Sequence, residues 1–416
     1  MELVPGISAH FVQSKKFKTN KITIRFTAPL SLETVAGRML SASMLETANQ
    51  AYPTSQAFRR YLASLYGTDI STSAYRRGQA HVLDLTFTYV RDEFLSKKNV
   101  LTSRILELVK QTLFAPLVQD GAFESALFEI EKKQLLASLA TDMDDSFYFV
   151  HKELDSLFFH DERLKLRYSD LRNRISNESP ENSYTCFQDA LKNDRIDFFF
   201  LGDFNEVEVK EWLRSFSFTG RQIDVNPQYK QPYSNVLREG MIRKNVGQSV
   251  LELAYHCSTS YGDKHHLAMV VMNGLLGGFA HSKLFTNVRE NAGLAYTISS
   301  QLDLFSGQLR MYAGIDRRNR NQARKLMNHQ LLELKKGNFT DLEIEQTKEM
   351  IRRTLLLAQD SQTSLIERVY LNSLLGKSTS DFDNWIEKLN QVDKEAICKA
   401  ANSVRLQAIY FMEGIE

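Results

Sequence analysis

The chain has 416 residues, 43% hydrophobic and 25% charged, which is enough to bury cores for two or three domains and excludes a disordered chain. Fifty-two basic against 50 acidic residues leave a net charge of +2, so nothing in the charge balance argues for a nucleic acid partner. Cys186, Cys257 and Cys398 lie too far apart for a paired framework or a CxxC site, and fit reduced thiols in a cytoplasmic protein.

The opening MELVPGISAHFVQSKKF carries no signal-peptide core, and no apolar run reaches ~18 residues, so no membrane span is expected. Ile22 to Phe26 alternates apolar and polar and predicts a strand. Residues 33–48 follow as a helix with Val35, Met39, Leu40, Met44 and Leu45 on its apolar face. A second helix runs from Ser55 through Leu65, with its cap near Gly67. Strands are predicted over 69–76 and 80–90, helices over 93–114, 120–140 and 146–158, and a short buried strand over 196–201. On the 146–158 helix, His151, Glu153 and Asp155 read as a solvated stripe.

Pro227 and Pro232 mark the best boundary, and beyond them the order starts again. Strand 249–257 leads to helix 263–276, a glycine stop and hinge at Gly277-Gly278, and helix 281–291. Strands near 294–303 and 307–315, long helices over 319–336 and 340–357, and a last strand over 407–411 complete it. Both halves share one script, which predicts an α+β protein of two duplicated domains, each a mixed sheet with helices on one face. The division is 1–220, a linker over 221–238, and 239–416.

The nine histidines form neither HExxH nor HxxEH, and the adjacent His265 and His266 point about 100° apart on a helix, which is poor for shared ligation. His81 alternates with apolar residues and reads as a surface or cross-strand residue. No GxSxG elbow and no phosphate-binding glycine loop is present.

One segment is specific. Leu284-Phe285-Thr286-Asn287-Val288-Arg289-Glu290-Asn291-Ala292-Gly293-Leu294-Ala295-Tyr296, with Gly277-Gly278 before it and Ser299-Ser300 after, resembles the second-domain motif of pitrilysin/insulinase-type metallopeptidases. That resemblance implies a substrate-facing role for Arg289 and Tyr296, whose side chains can donate to a carbonyl oxygen or developing oxyanion. It also implies an HxxEH zinc motif on the first helix, and here the chain departs. With the helices in register, the histidine positions fall near Met39 and Ser43, the catalytic glutamate near Ala42 and the distal carboxylate near Ser138. Glu129 and Glu131 lie roughly two turns earlier. No histidine stands between His10 and His81, so no zinc ligand set and no general base are expected in any register.

The stretch from Tyr52 to Thr68 resembles the zinc-less bacterial branch of the family, whose members pair with a zinc-bearing sister. The resemblance therefore implies a clam-like shell of two domains, without cofactor, supplying Arg289 and Tyr296 to a heterodimer whose partner holds the zinc. Peptide is the expected substrate, a homodimer is the fallback, and a non-enzymatic peptide-binding or scaffold protein of the same fold is the alternative.

Overall fold

The computed structural model describes residues 1–96, 100–223, 225–376 and 382–415. The helix expected from residue 93 crosses 97–99, and the linker expected over 221–238 includes residue 224; those positions lie outside the described residues. Two compact units are present, and neither is contiguous in sequence. The first comprises Met1–Leu139, Ser169–Pro227 and Gln362–Leu371; the second comprises Ala140–Tyr168, Gln228–Ser361 and Asn372–Glu416.

The strands of the first unit are β1 Glu2–Val4, β2 Ile7–Gln13, β3 Thr19–Pro29, β4 Asp69–Arg77, β5 Ala80–Val90, the small hairpin β6 Val118–Gln119 and β7 Ala122–Phe123, and β8 Arg195–Gly202. Those of the second are β9 Arg238–Lys244, β10 Ser249–His256, β11 Ala295–Asp303, β12 Gln308–Ile315 and β13 Arg405–Gly414. The main sheets run β1-β2-β8-β3-β5-β4 and β11-β12-β10-β13-β9. Read from opposite ends, five strands of each sheet match in order and sense. The β2–β8 and β13–β9 pairs are parallel, and the remaining matched pairs are antiparallel. The duplication expected from element order is thus present strand for strand.

Alternation explains how each sheet faces its core. In β3, Ile22, Ile24 and Phe26 pack with Leu83, Leu85 and Phe87 of β5 beneath Ile105, Leu108 and Val109 of helix Leu101–Phe114. Full burial of side chains this size contributes roughly 1.5–3 kcal/mol each. In the second unit Leu251, Leu253, Met311, Ile409 and Phe411 pack against Met269, Met272, Met327 and Leu331. The other faces are also covered, each by a helix from the distant part of the chain. Helix Gln362–Leu374 lies over β3, where the Tyr370 and Thr27 hydroxyls are 3.1 Å apart. Helix Ser146–Phe158 packs on β13, β10 and β9.

That exchange overturns the solvated reading of the 146–158 stripe: Asp155 is buried, 3.6 Å from Arg310. Other boundaries moved for local reasons. The helix expected from residue 93 starts at Leu101, because the Asp92 carboxylate accepts the amides of Leu101 and Thr102 and caps it there. The helical path runs through the glycine pair: helix His266–Asn273 continues into a π-helical turn, Gly274–Gly278. His81 is buried and accepts a 3.0 Å bond from Arg38 Nε; burial, with the Arg38 charge, pushes its imidazole down to about 3.

Candidate functional site

Arg289 and Tyr296 belong to the second unit. The π-helical turn Phe285–Asn291 closes with Gly293 at φ 62°, a left-handed geometry suited to glycine, and the amides of Gly293 and Leu294 donate back to the carbonyls of Arg289 and Val288. The chain then enters β11, an edge strand paired only with β12. The register slips between Ala295 and Thr297, so Tyr296 is the extra residue of a bulge. A bulge re-aims a side chain, and Tyr296 is 73% exposed. Arg289 is exposed too, with its guanidinium 4.6 Å from the centre of the Phe285 ring.

The edge behind Tyr296 is held in place from one side. Ser299 donates to the Gly277 carbonyl at 2.9 Å, and Ser300 bonds the Asn273 side chain at 2.8 Å. A Cβ at Gly277 would stand 2.6 Å from the Ser300 amide nitrogen, so only glycine lets this turn approach the strand.

In the first unit, helix Val35–Thr47 divides into faces. Ala42 is 3% exposed inside the apolar core, and Arg38 is buried against His81 and, at 2.7 Å, Asp194. Met39, Ser43, Glu46 and Thr47 are half-buried and share one stripe at helical spacing, bordering Ala42. Helix Ser125–Asp144 turns Glu131 toward that stripe, near the Thr47 hydroxyl, which donates to the Ser43 carbonyl at 2.9 Å. Burial raises the Glu131 carboxyl above its ordinary range; the nearby Thr47 hydroxyl lowers it, and the charge of Glu46 raises it further. Ser138, two turns along, is exposed. The structure therefore gathers Ser43, Glu46, Thr47 and Glu131, and does not bring Ala42 to Ser138.

Glu46 is also engaged elsewhere, accepting the Thr72 amide at 2.9 Å and the Thr72 hydroxyl at 2.7 Å. Two carboxylates and hydroxyls, without an imidazole, do not fit a zinc ion. Among the described residues, no three or more His, Cys, Asp or Glu side chains are arranged to hold a metal. Sequence reasoning missed Glu46 and Thr72; Glu131 it noticed without placing. The available signal was a glutamate at the fourth position of the five-residue span Ser43–Thr47.

Comparison with known proteins follows this geometry. The profile described as Peptidase M16 inactive domain matches residues 177–351. The chain is similar to a probable inactive metalloprotease of Bacillus subtilis (strain 168), YmfF, at 29% identity over 99% of this chain and 96% of that protein. It is similar to a crystal structure of a conserved protein from Enterococcus faecalis V583, with a TM-score of 0.94, 34% identity and coverage of 100% of this chain and 98% of that one. A peptidase M16 inactive domain from Pseudomonas fluorescens shares the fold, at a TM-score of 0.79 and 16% identity, over 99% of this chain and 97% of that chain.

Proposed function

The chain belongs to the M16 peptidase family, the pitrilysin/insulinase type, as an inactive homologue, and from that premise we propose that it is the substrate-binding, non-catalytic subunit of a zinc peptidase completed by a zinc-bearing sister chain. We place the lost motif at Ser43–Thr47, one turn later than the helix register suggested. Ser43 and Thr47 stand where the histidines would be, Glu46 where the general base would be, and Glu131 where the distal carboxylate would be. Arg289 and Tyr296 carry the positive part of the proposal.

A peptide lying as an added strand beside β11 would gain sequence-tolerant main-chain hydrogen bonds. Its carbonyl would meet the Tyr296 hydroxyl and the Arg289 guanidinium, two donors suited to an oxygen that gains charge during acyl transfer. The attacking water and its activation would belong to the sister chain. The observation that carries this reading is an exposed tyrosine, aimed by a bulge, on a sheet edge immediately after the Arg289 turn.

The test is reconstitution with a zinc-bearing member of the same family as the sister chain. The double change Arg289→Ala, Tyr296→Phe should lower peptide turnover by the mixed complex by about 10²-fold or more, with co-purification unchanged. Unaltered turnover would remove both residues from the reaction. Failure of any zinc-bearing sister to gain activity from this chain would favour the scaffold alternative.

A further inference from the structure

β4 is the outermost strand of the first sheet, with β5 on one side only. A two-residue connection, Gly78-Gln79, joins them, and Arg77 faces Ala80 as the closing pair. So short a connection requires that closing pair to exchange its own hydrogen bonds. Counting back by twos, Tyr75, Ser73 and Ser71 also bond β5. Ile70, Thr72, Ala74 and Arg76 therefore aim their amides away from the sheet, which is the pattern an added strand would pair with. Thr72 is near the middle of this row, and its amide already has a partner: the Glu46 carboxylate at 2.9 Å, held also by the Thr72 hydroxyl at 2.7 Å.

We propose that Glu46 closes the outer edge of β4, so that an extended peptide adds to this strand only by displacing this carboxylate. The proposal rests on the reading above that peptides bind by strand addition, and it assigns Glu46 a present role. The carboxylate stands where a peptide carbonyl would stand, and it offers the Thr72 amide a charged acceptor in place of a neutral one. A docking strand exchanges the stronger bond for the weaker at the centre of its ladder. At β11 the covering group is different: the Gly277 turn lies against Ser300, while Tyr296 and Thr297 are exposed.

Fluorescein-labelled β-casein, an unfolded polypeptide, serves as the probe, with anisotropy for affinity and amide hydrogen exchange for location. Glu46→Ala should bind casein at least tenfold more tightly than the wild type, with new protection confined to 70–76. Glu46→Gln, which keeps an acceptor, should stay within about threefold of wild type, since a neutral acceptor still holds much of the bond. If Glu46→Ala does not fold, Glu46→Asp, too short to reach Thr72, carries the same expectation. Equal affinity in the opened variant, or tighter binding without protection of β4, overturns the proposal. The functional reading is judged separately. If Arg289→Ala, Tyr296→Ala in the wild-type background leaves casein binding unchanged, that reading fails, while the comparison at Glu46 stands.

Discussion

Two histidines should return a metal to the first unit, provided they are placed where Glu131 points. Ser43→His with Thr47→His puts imidazoles at i and i+4 on the half-buried side of helix 35–47, the spacing at which two side chains can share one ion. Glu131 already lies near Thr47, so it is within range to serve as a third ligand. A bound zinc would offset the cost that burial places on the ionised Glu131 carboxylate. The expected content is about one zinc per chain. With free zinc at a hundred times its Kd, linkage gives about 2.7 kcal/mol of added stability. For a unit of this size that is a rise in Tm of roughly 5–10 °C, abolished by a chelator. Native mass spectrometry and calorimetry with and without chelator measure both quantities. The control is Met39→His, Ser43→His, Ser138→Glu, the set that helix register alone suggests; it should stay metal-free, because Ser138 is exposed two turns beyond Glu131. Zinc bound by the control set, or by neither set in folded protein, would refute the placement of the motif at Ser43–Thr47.

The exchanged helices supply two further expectations. Arg25, its side chain 4% exposed, makes paired 2.7 Å bonds to Asp84 and a 2.9 Å contact with Glu367; Arg25→Ala strands the buried Asp84 carboxylate, while Glu367 keeps its ion pair with Arg77, and should cost about 3–5 kcal/mol in urea denaturation. A loss below 1 kcal/mol would mean that water reaches the cluster. In the second unit, burial pushes the Glu252 carboxyl up to about 8, with Arg310 lowering it and Asp155 raising it, and His151 Nδ1 3.8 Å away. The folded protein keeps that proton to about pH 8, while an unfolded chain releases it near 4.5. This contribution to stability is therefore complete below pH 4.5 and is lost as pH rises through about 8. Glu252→Gln should flatten the fall of Tm across that window, and parallel curves for the two proteins would count against it.

Local signals made much of the fold legible. Strand alternation at Ile22–Phe26 and His81–Phe87, the Gly67 cap and the two long helices of each half all appear close to where they were expected. Strands β2 and β9 and the helices after residue 160 in the first half and after 360 in the second were not foreseen, although Ile7–Gln13 is a clear strand once its parallel partner β8 is known. The Arg289 and Tyr296 segment was legible as a resemblance, but its bulge and exposure were not, because a bulge depends on the facing strand. The misread residues share a cause. Asp155 looks like surface on its own helix, and becomes core only because that helix packs on a sheet assembled almost a hundred residues later. At the lost motif, helix 35–47 alone gives no preference between one turn and the next, and the proposed placement at Ser43–Thr47 rests on Glu131, which arrives from another helix.

The same sheet faces carry a second correspondence between the two units. The matched topology equates β3 with β10 and β5 with β12. In the first unit the cation is on β3 as Arg25 and the strand acid on β5 as Asp84; in the second the acid is on β10 as Glu252 and the cation on β12 as Arg310. Each exchanged helix brings one more acid, Glu367 or Asp155, to that arginine. The basic and acidic residues have traded strands while the grouping is the same: one buried arginine near a strand acid and a helix acid, although Glu252 keeps its proton to about pH 8. The fork of an arginine in such a place can reach both neighbours, as Arg25 does with Asp84 and Glu367. What the two units share is thus the grouping of one arginine with two acids under the covering helix, and a residue-by-residue comparison of the halves would miss it.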